Sequence, residues 1–217
     1  DWSAWKSQLQ DGQVAREQEI ARQAGAAVRQ GINPVTLFMV LEQMLPPNSI
    51  LIADGGDFAA TASYTLRPRR PLGWLDPGVF GTLGVGGGFA LGAALRYPDH
   101  YIWIIYGDGS AAYSLAELDT FAKNGFKVCA IIGNNGSWEQ IARDQVTLLG
   151  AATGTTLPRS DYHRIAEAFA GAGERVEHLE AFAWAVQRAI QHLDKGVPYV
   201  INADIGSTDF RKGSLSM

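Results

Sequence analysis

A carboxylate sits in the middle of what reads as an anion cradle. Residues 101–110, YIWIIYGDGS, are a block of bulky apolar side chains that stops at Gly107-Asp108-Gly109-Ser110. A strand that ends in Gly-x-Gly is the pattern of a turn whose backbone N–H groups hold phosphate. Phosphate and Asp108 carry the same sign, however. Two negative charges about 4 Å apart at an effective dielectric of ~20 repel by about 4 kcal/mol. Twenty-four residues separate Gly109 from Asn134-Asn135-Gly136-Ser137-Trp138, which ends a second apolar run, KVCAII. A divalent cation between the two turns would resolve the conflict. Asp108 supplies a charged oxygen, Asn135 an amide oxygen and Ser137 a backbone carbonyl. Diphosphate oxygens and a water complete the octahedron that magnesium prefers.

Two other readings compete. Gly107-x-Gly109-x-x-Ala112 matches a dinucleotide fingerprint. That reading needs an acidic residue near the end of the next strand to hold a ribose, where the chain has Asn134 and Asn135. It also leaves Asp108 facing a pyrophosphate with no compensating charge. The plainer reading is two unrelated loop turns with Asp108 as a helix cap.

The elements that position these turns are visible in the pattern. Asn33-Pro34 reads as a cap and first-turn proline for the helix VTLFMVLEQML. SILIAD is a strand that ends in DGGDF (54–58), and a helix is expected near 58–66. A glycine-rich stretch, FGTLGVGGG (80–88), leads into a helix at 88–96, and strand 101–106 follows. Ser114 and Glu117 read as a capping box for a helix that Gly125 ends. After strand 127–132, Asp161 is placed as the cap of helix 162–171. RVEHL is a short strand, 181–194 a helix, and PYVINADI the last strand. Strands alternate with helices and most are apolar throughout. This predicts an α/β fold with a parallel β-sheet covered by helices on both faces. Ligands in such folds sit at the carboxyl ends of the strands, where the glycine-rich turns fall.

Composition removes several classes. The net charge of −4 and pI near 5.5 argue against nucleic-acid binding. The single cysteine, Cys129, lies in an apolar run and cannot close an internal disulfide. Pro77 to Leu95 is uncharged, but seven of its residues are glycine, so a turn into a buried helix is expected there and no membrane span. The first residues, DWSAWKSQLQDGQ, read as neither a signal peptide nor a Met start, and a segment of a longer protein is expected. None of the four histidines reads as catalytic.

With these residues in place, the chain resembles thiamine-diphosphate-dependent enzymes, whose motif is GDG, a couple of dozen residues, then NN. FGTLGVGGGFALGAAL (80–95) is similar to a segment of acetolactate synthases. The resemblance implies that the Gly81 carbonyl and the Leu83 N–H hold the aminopyrimidine ring. It also implies that the Leu83 side chain, standing where the family has methionine, props the cofactor in a bent shape. DGGDF implies a second diphosphate loop of Gly55, Gly56, Asp57 and Phe58, in which Asp57 replaces a residue that is usually uncharged. The two motif turns imply Gly107, Asp108, Gly109, Ser110, Asn135, Ser137 and Trp138 around the diphosphate, with Asp108, Asn135 and Ser137 on Mg2+.

Within that superfamily, WLDPGVFGTLGVGGGFALGA, NNGSWEQIARDQV, SDYH and STDFRKGSLSM look most like the acetolactate-synthase-like 2-hydroxyacyl-CoA lyases. This implies a C-terminal cofactor-binding domain at 33–205, a linker helix at 1–32 and a tail at 206–217. Arg211 and Lys212 would make that tail a lid. The implied reaction is cleavage of 2-hydroxyacyl-CoA to formyl-CoA and an aldehyde, with acetolactate-type carboligation as the alternative. The family's catalytic glutamate belongs to a pyrimidine-binding domain, supplied by upstream sequence or by a partner chain. A homodimer or homotetramer is therefore expected, this chain alone should be inactive, and no side chain in it serves as nucleophile. An intracellular location is expected, any membrane anchor of relatives lying outside this segment.

Overall fold

The computed structural model describes residues 1–211; Lys212 and the rest of the tail lie outside the described residues. Six strands form one all-parallel sheet: β1 (Ser49–Ala53), β2 (Trp74–Leu75), β3 (Tyr101–Gly107), β4 (Val128–Asn134), β5 (Ala172–Val176) and β6 (Tyr199–Asp204). Their order across the sheet is β2-β1-β3-β4-β6-β5. The expected α/β class and the covered parallel sheet are both present.

The apolar runs alternate between the two faces, as a period of two requires. Leu51, Trp103, Ile105, Cys129 and Ile201 point to one face, where α2 (Pro34–Met44), α3 (Gly56–Thr65) and α9 (Leu179–Leu193) pack. Ile50, Ile102, Ile104, Val128 and Val200 point to the other, under α4 (Val85–Arg96), α6 (Glu117–Asn124) and α8 (His163–Ala168). Cys129 is fully buried among them. Each wholly buried aliphatic side chain contributes roughly 1.5–3 kcal/mol, so the central strands carry most of the fold's apolar gain.

The strand order places the site. The chain leaves β1 toward the β2 edge and returns on the other side to form β3. The helices that follow these moves, α3 and α4, then lie on opposite faces. The crevice that opens between diverging connections lies at the carboxyl ends of β1 and β3. Those ends are joined: Asp54 N–H donates to Ile105 O at 3.0 Å and Gly107 N–H to Gly55 O at 3.3 Å.

Several local expectations need correction. Ser114 does not cap α6, which has no side-chain cap; its hydroxyl is engaged by Tyr106 OH at 2.8 Å and by Gly87 N–H at 3.3 Å. Asp161 does not cap α8. It pairs instead with Arg175 and Arg164, because Arg175 brings a full charge where the helix end offers only partial ones. β5 runs over AGERV rather than RVEHL, and His178 follows it in extended backbone. Residues 1–32 contain α1 (Ser3–Ala24), almost wholly exposed. The uncharged stretch 77–95 is a loop and α4, and no helix among the described residues is long and apolar enough to cross a membrane.

Asn33 caps α2 as expected, accepting from Val35 N–H at 2.8 Å. Its amide also donates to Gln23 O at 2.9 Å and Ala26 O at 3.0 Å, fastening the end of α1. Asn33→Ala removes a cap and the side-chain bonds to the Gln23 and Ala26 carbonyls. It should cost about 2 kcal/mol, read as a lower urea midpoint of the complete protein; an unchanged midpoint would remove Asn33 from the fold's supports.

Candidate cofactor site

Asp108 begins the short helix α5 (Asp108–Ala111) at the end of β3, and it is only 2% exposed. One carboxylate oxygen accepts from Gly136 N–H at 2.7 Å and from Ser137 N–H at 3.3 Å. The other accepts from Gly109 N–H at 2.9 Å. The carboxylate thus locks the GDG turn to the turn after β4. Burial pushes its pKa up, and the backbone N–H groups pull it down. Among the described residues no Lys, Arg or His forms an ion pair with it. A buried carboxylate with only amide partners leaves a charge unmatched, which is costly unless a proton or a cation joins it.

The donor set nearby fits a hard cation. Asn135 stands at the same turn, its Oδ1 accepting from Ser137 N–H at 3.0 Å and its Nδ2 donating to Glu139 at 3.3 Å. The described residues contain no group of three or more His, Cys, Asp or Glu that could hold a metal alone. A cation here would therefore need oxygens from a ligand, which is the habit of magnesium shared with a diphosphate.

All thirteen residues expected at the site line one cleft of about 810 Å³. Two of its glycines are there because of close approach. A Cβ on Gly109 would lie 2.4 Å from the Trp138 ring, and a Cβ on Gly55 would lie 2.2 Å from Leu83 Cδ2. Trp138 therefore roofs the GDG turn, and Leu83 lies across the turn after β1. Gly56 and Gly81 both have positive φ, at the start of α3 and at the end of the 3-10 turn 78–80.

The other expected residues divide. Phe58 lines the cleft from the first turn of α3, but its ring is in the core, 4.5 Å from that of Phe38. What α3 offers the cleft is its first-turn N–H groups, which attract an anion. Ser110 Oγ turns back to donate to Gly107 O at 3.1 Å. Asp57, the acidic oddity of that loop, forms an ion pair with Arg143 in α7 (Glu139–Leu149). Its charge is spent on protein rather than aimed at an incoming anion. Arg211, the described residue of the expected lid pair, lines the cleft and lies over the Tyr64 ring at 5.0 Å.

Sequence reasoning missed Asp54 and Arg143. Asp54 is buried and accepts from Gly84 N–H at 3.0 Å and from Gly86 N–H at 2.6 Å, so it hangs the Leu83 loop on the end of β1. Burial pushes its pKa up against those bonds. The signal was present, an acid directly after a buried strand, but the glycines beside it drew the reading toward phosphate. α7 was missed although Ile141, Leu148 and Leu149 recur at helical spacing; within this chain that stripe is exposed.

Fold and site together define a domain that holds a diphosphate cofactor at strand ends. The chain belongs to the family described as thiamine pyrophosphate enzyme, C-terminal TPP binding domain, which matches residues 54–203. It is 45% identical over 217 residues to 2-hydroxyacyl-CoA lyase 2 of Bos taurus, covering 99% of this chain and 34% of that one. It is 30% identical over 204 residues to an acetolactate synthase large subunit of Mycobacterium tuberculosis, covering 93% of this chain and 36% of the other. A thiamine diphosphate-dependent 4-hydroxybenzoylformate decarboxylase from Rhodococcus jostii RHA1 superposes with a TM-score of 0.75 at 26% identity, over 83% of this chain and 34% of that one. The chain thus spans about a third of the length of the relatives it matches.

Asp108→Asn keeps the shape and most of the backbone hydrogen bonds but removes the charge. Thiamine diphosphate affinity in the presence of Mg2+ should fall by more than about a hundredfold, about 3 kcal/mol, with the fold intact. Calorimetric titration of the complete protein checks this; equal affinity in the variant would remove Asp108 from the site.

Proposed function

We propose that this chain is the cofactor-binding third of a thiamine diphosphate- and Mg2+-dependent carbon–carbon lyase that cleaves 2-hydroxyacyl-CoA to formyl-CoA and an aldehyde one carbon shorter. The observation that carries the reading is the buried Asp108, which forms no ion pair among the described residues and is joined by its backbone bonds to the Asn135 turn. The substrate class rests on the 45% identity to a 2-hydroxyacyl-CoA lyase along the whole chain.

When bound, thiamine diphosphate supplies a carbon centre able to take up the electron pair of a cleaved bond. The work of this chain is to hold and orient. In this proposal Asp108, Asn135 and the Ser137 carbonyl hold the cation. Gly55, Gly56, Asp57, Phe58, Gly107, Gly109, Ser110 and Trp138 surround the diphosphate, the N–H groups at the start of α3 supplying partial positive charge. Gly81 and Leu83 meet the pyrimidine end. Leu83 suits a prop because it is fixed from two sides, by its contact over Gly55 and by the Asp54 bonds to Gly84 and Gly86.

The proposed organisation is a linker at 1–32, a cofactor domain at 33–205 and a covering tail from 206. The catalytic glutamate comes from a pyrimidine-binding domain elsewhere in the protein or in a partner, in an intracellular homodimer or homotetramer. The alternative, decarboxylation and carboligation of 2-oxo acids, is favoured by the acetolactate synthase likeness at 30% identity.

Incubating the complete protein with a 2-hydroxyacyl-CoA and following products by mass spectrometry separates the two. Formyl-CoA and the shortened aldehyde should appear in equal amounts, and pyruvate should give no acetolactate. Acetolactate with no acyl-CoA cleavage would reverse the assignment.

A further inference from the structure

Helix α7 is a thinly supported wall of the cleft. Trp138, Glu139, Gln140 and Ile141 line the cleft, yet none of the 11 residues of α7 is buried. A helix this short does not sustain itself in water. Its apolar side chains do not anchor it either: Ile141, Leu148 and Leu149 are all more than half exposed. Within this chain its position is set by polar tethers. The Asn135 bond to Glu139 holds its first turn.

The second tether lies one turn further along. Arg143 pairs through one terminal nitrogen with Asp57 in the first turn of α3. Its other terminal nitrogen donates to the carbonyl of Arg211 at 3.3 Å. The two side chains of the pair are 22% and 15% exposed, so the pair is largely withdrawn from water and from salt, unlike an open surface pair. One planar guanidinium thereby joins three elements, and each of them contributes to the cleft: Asp57, Ile141 and Thr208 line it while Arg143 itself does not.

We infer that Arg143, oriented by Asp57, is a positioning residue for the substrate end of the cleft. It fixes where α7 and residues 206–211 stand relative to the diphosphate loop, and so sets how well an acyl substrate fits against them. This also accounts for an acid in the diphosphate loop. Asp57 is the counter-charge of the wall. Only the choice of substrate in the test rests on the proposed lyase reaction.

The test uses the complete protein loaded with thiamine diphosphate and Mg2+. In Arg143→Gln, amide hydrogen exchange should quicken in residues 139–149 and 206–211 together, and Asp57→Asn should reproduce that pattern. The double variant should be no worse than Arg143→Gln, because both remove one interaction. Arg143→Lys, which keeps the charge and loses the fork, should fall between. With a 2-hydroxyacyl-CoA, Arg143→Gln should raise KM about tenfold while kcat falls less than about threefold, the mark of lost binding rather than lost chemistry. Cofactor affinity should fall in Arg143→Gln, which leaves the Asp57 charge uncompensated beside the diphosphate, and recover in the double variant, which removes that charge. Unchanged exchange in either segment, or an unchanged KM, overturns the inference. A wild-type protein that does not cleave acyl-CoA would sink the proposed reaction instead, and the exchange measurement would still decide the role of Arg143.

Discussion

The site depends on one buried carboxylate. Asp108 is drawn between two turns by three backbone N–H groups, at 2.7, 2.9 and 3.3 Å. Those bonds fix its position and oppose the rise in pKa that burial causes. They do not replace a counter-charge, because amide dipoles carry only partial charges. An anion cradle built around such a group becomes attractive to diphosphate only when a divalent ion joins the two. In the proposed site the cost of burying the charge would be turned into selectivity, favouring a diphosphate that arrives with its cation over one that arrives alone.

The sheet serves that interaction. Placing β3 beside β1 brings the Asp54-Gly55 and Gly107-Asp108 turns to one crevice, and placing β4 next to β3 adds Asn135. Both acids end up in comparable surroundings and do different work. Asp54 spends its charge on Gly84 and Gly86, which suspends the Leu83 loop. Asp108 spends its bonds on holding the two turns together, and no ion pair among the described residues offsets its charge. Asp57 is neutralised by Arg143. These three acids therefore confront a diphosphate with fewer uncompensated charges than their number suggests.

Most of the fold was legible because buried parallel strands are written as unbroken apolar runs. The GDG and NN turns were legible because glycine and asparagine at strand ends have few other uses. What stayed hidden has a common cause, namely partners distant in sequence. Ser114 and Glu117 look like a capping box, but the hydroxyl of Ser114 goes to Tyr106 and Gly87. Asp161 looks like a cap until Arg175 comes beside it from β5. Asp57 stands out locally as an acid in an anion loop, yet nothing local points to Arg143. α7 went unread although its apolar residues Ile141, Leu148 and Leu149 fall at helical spacing; within this chain they are exposed.

Substitution of the metal reads the Asp108 interaction most directly. Mn2+ can be titrated into the complete protein and the free-ion signal followed by electron paramagnetic resonance, with and without thiamine diphosphate. A cation shared between Asp108 and the diphosphate predicts weak Mn2+ uptake alone, strong uptake of one ion per chain when the cofactor is added, and loss of that gain in Asp108→Asn. Cofactor binding that is equally tight in the presence of a chelator, or Mn2+ uptake indifferent to the diphosphate, would contradict it.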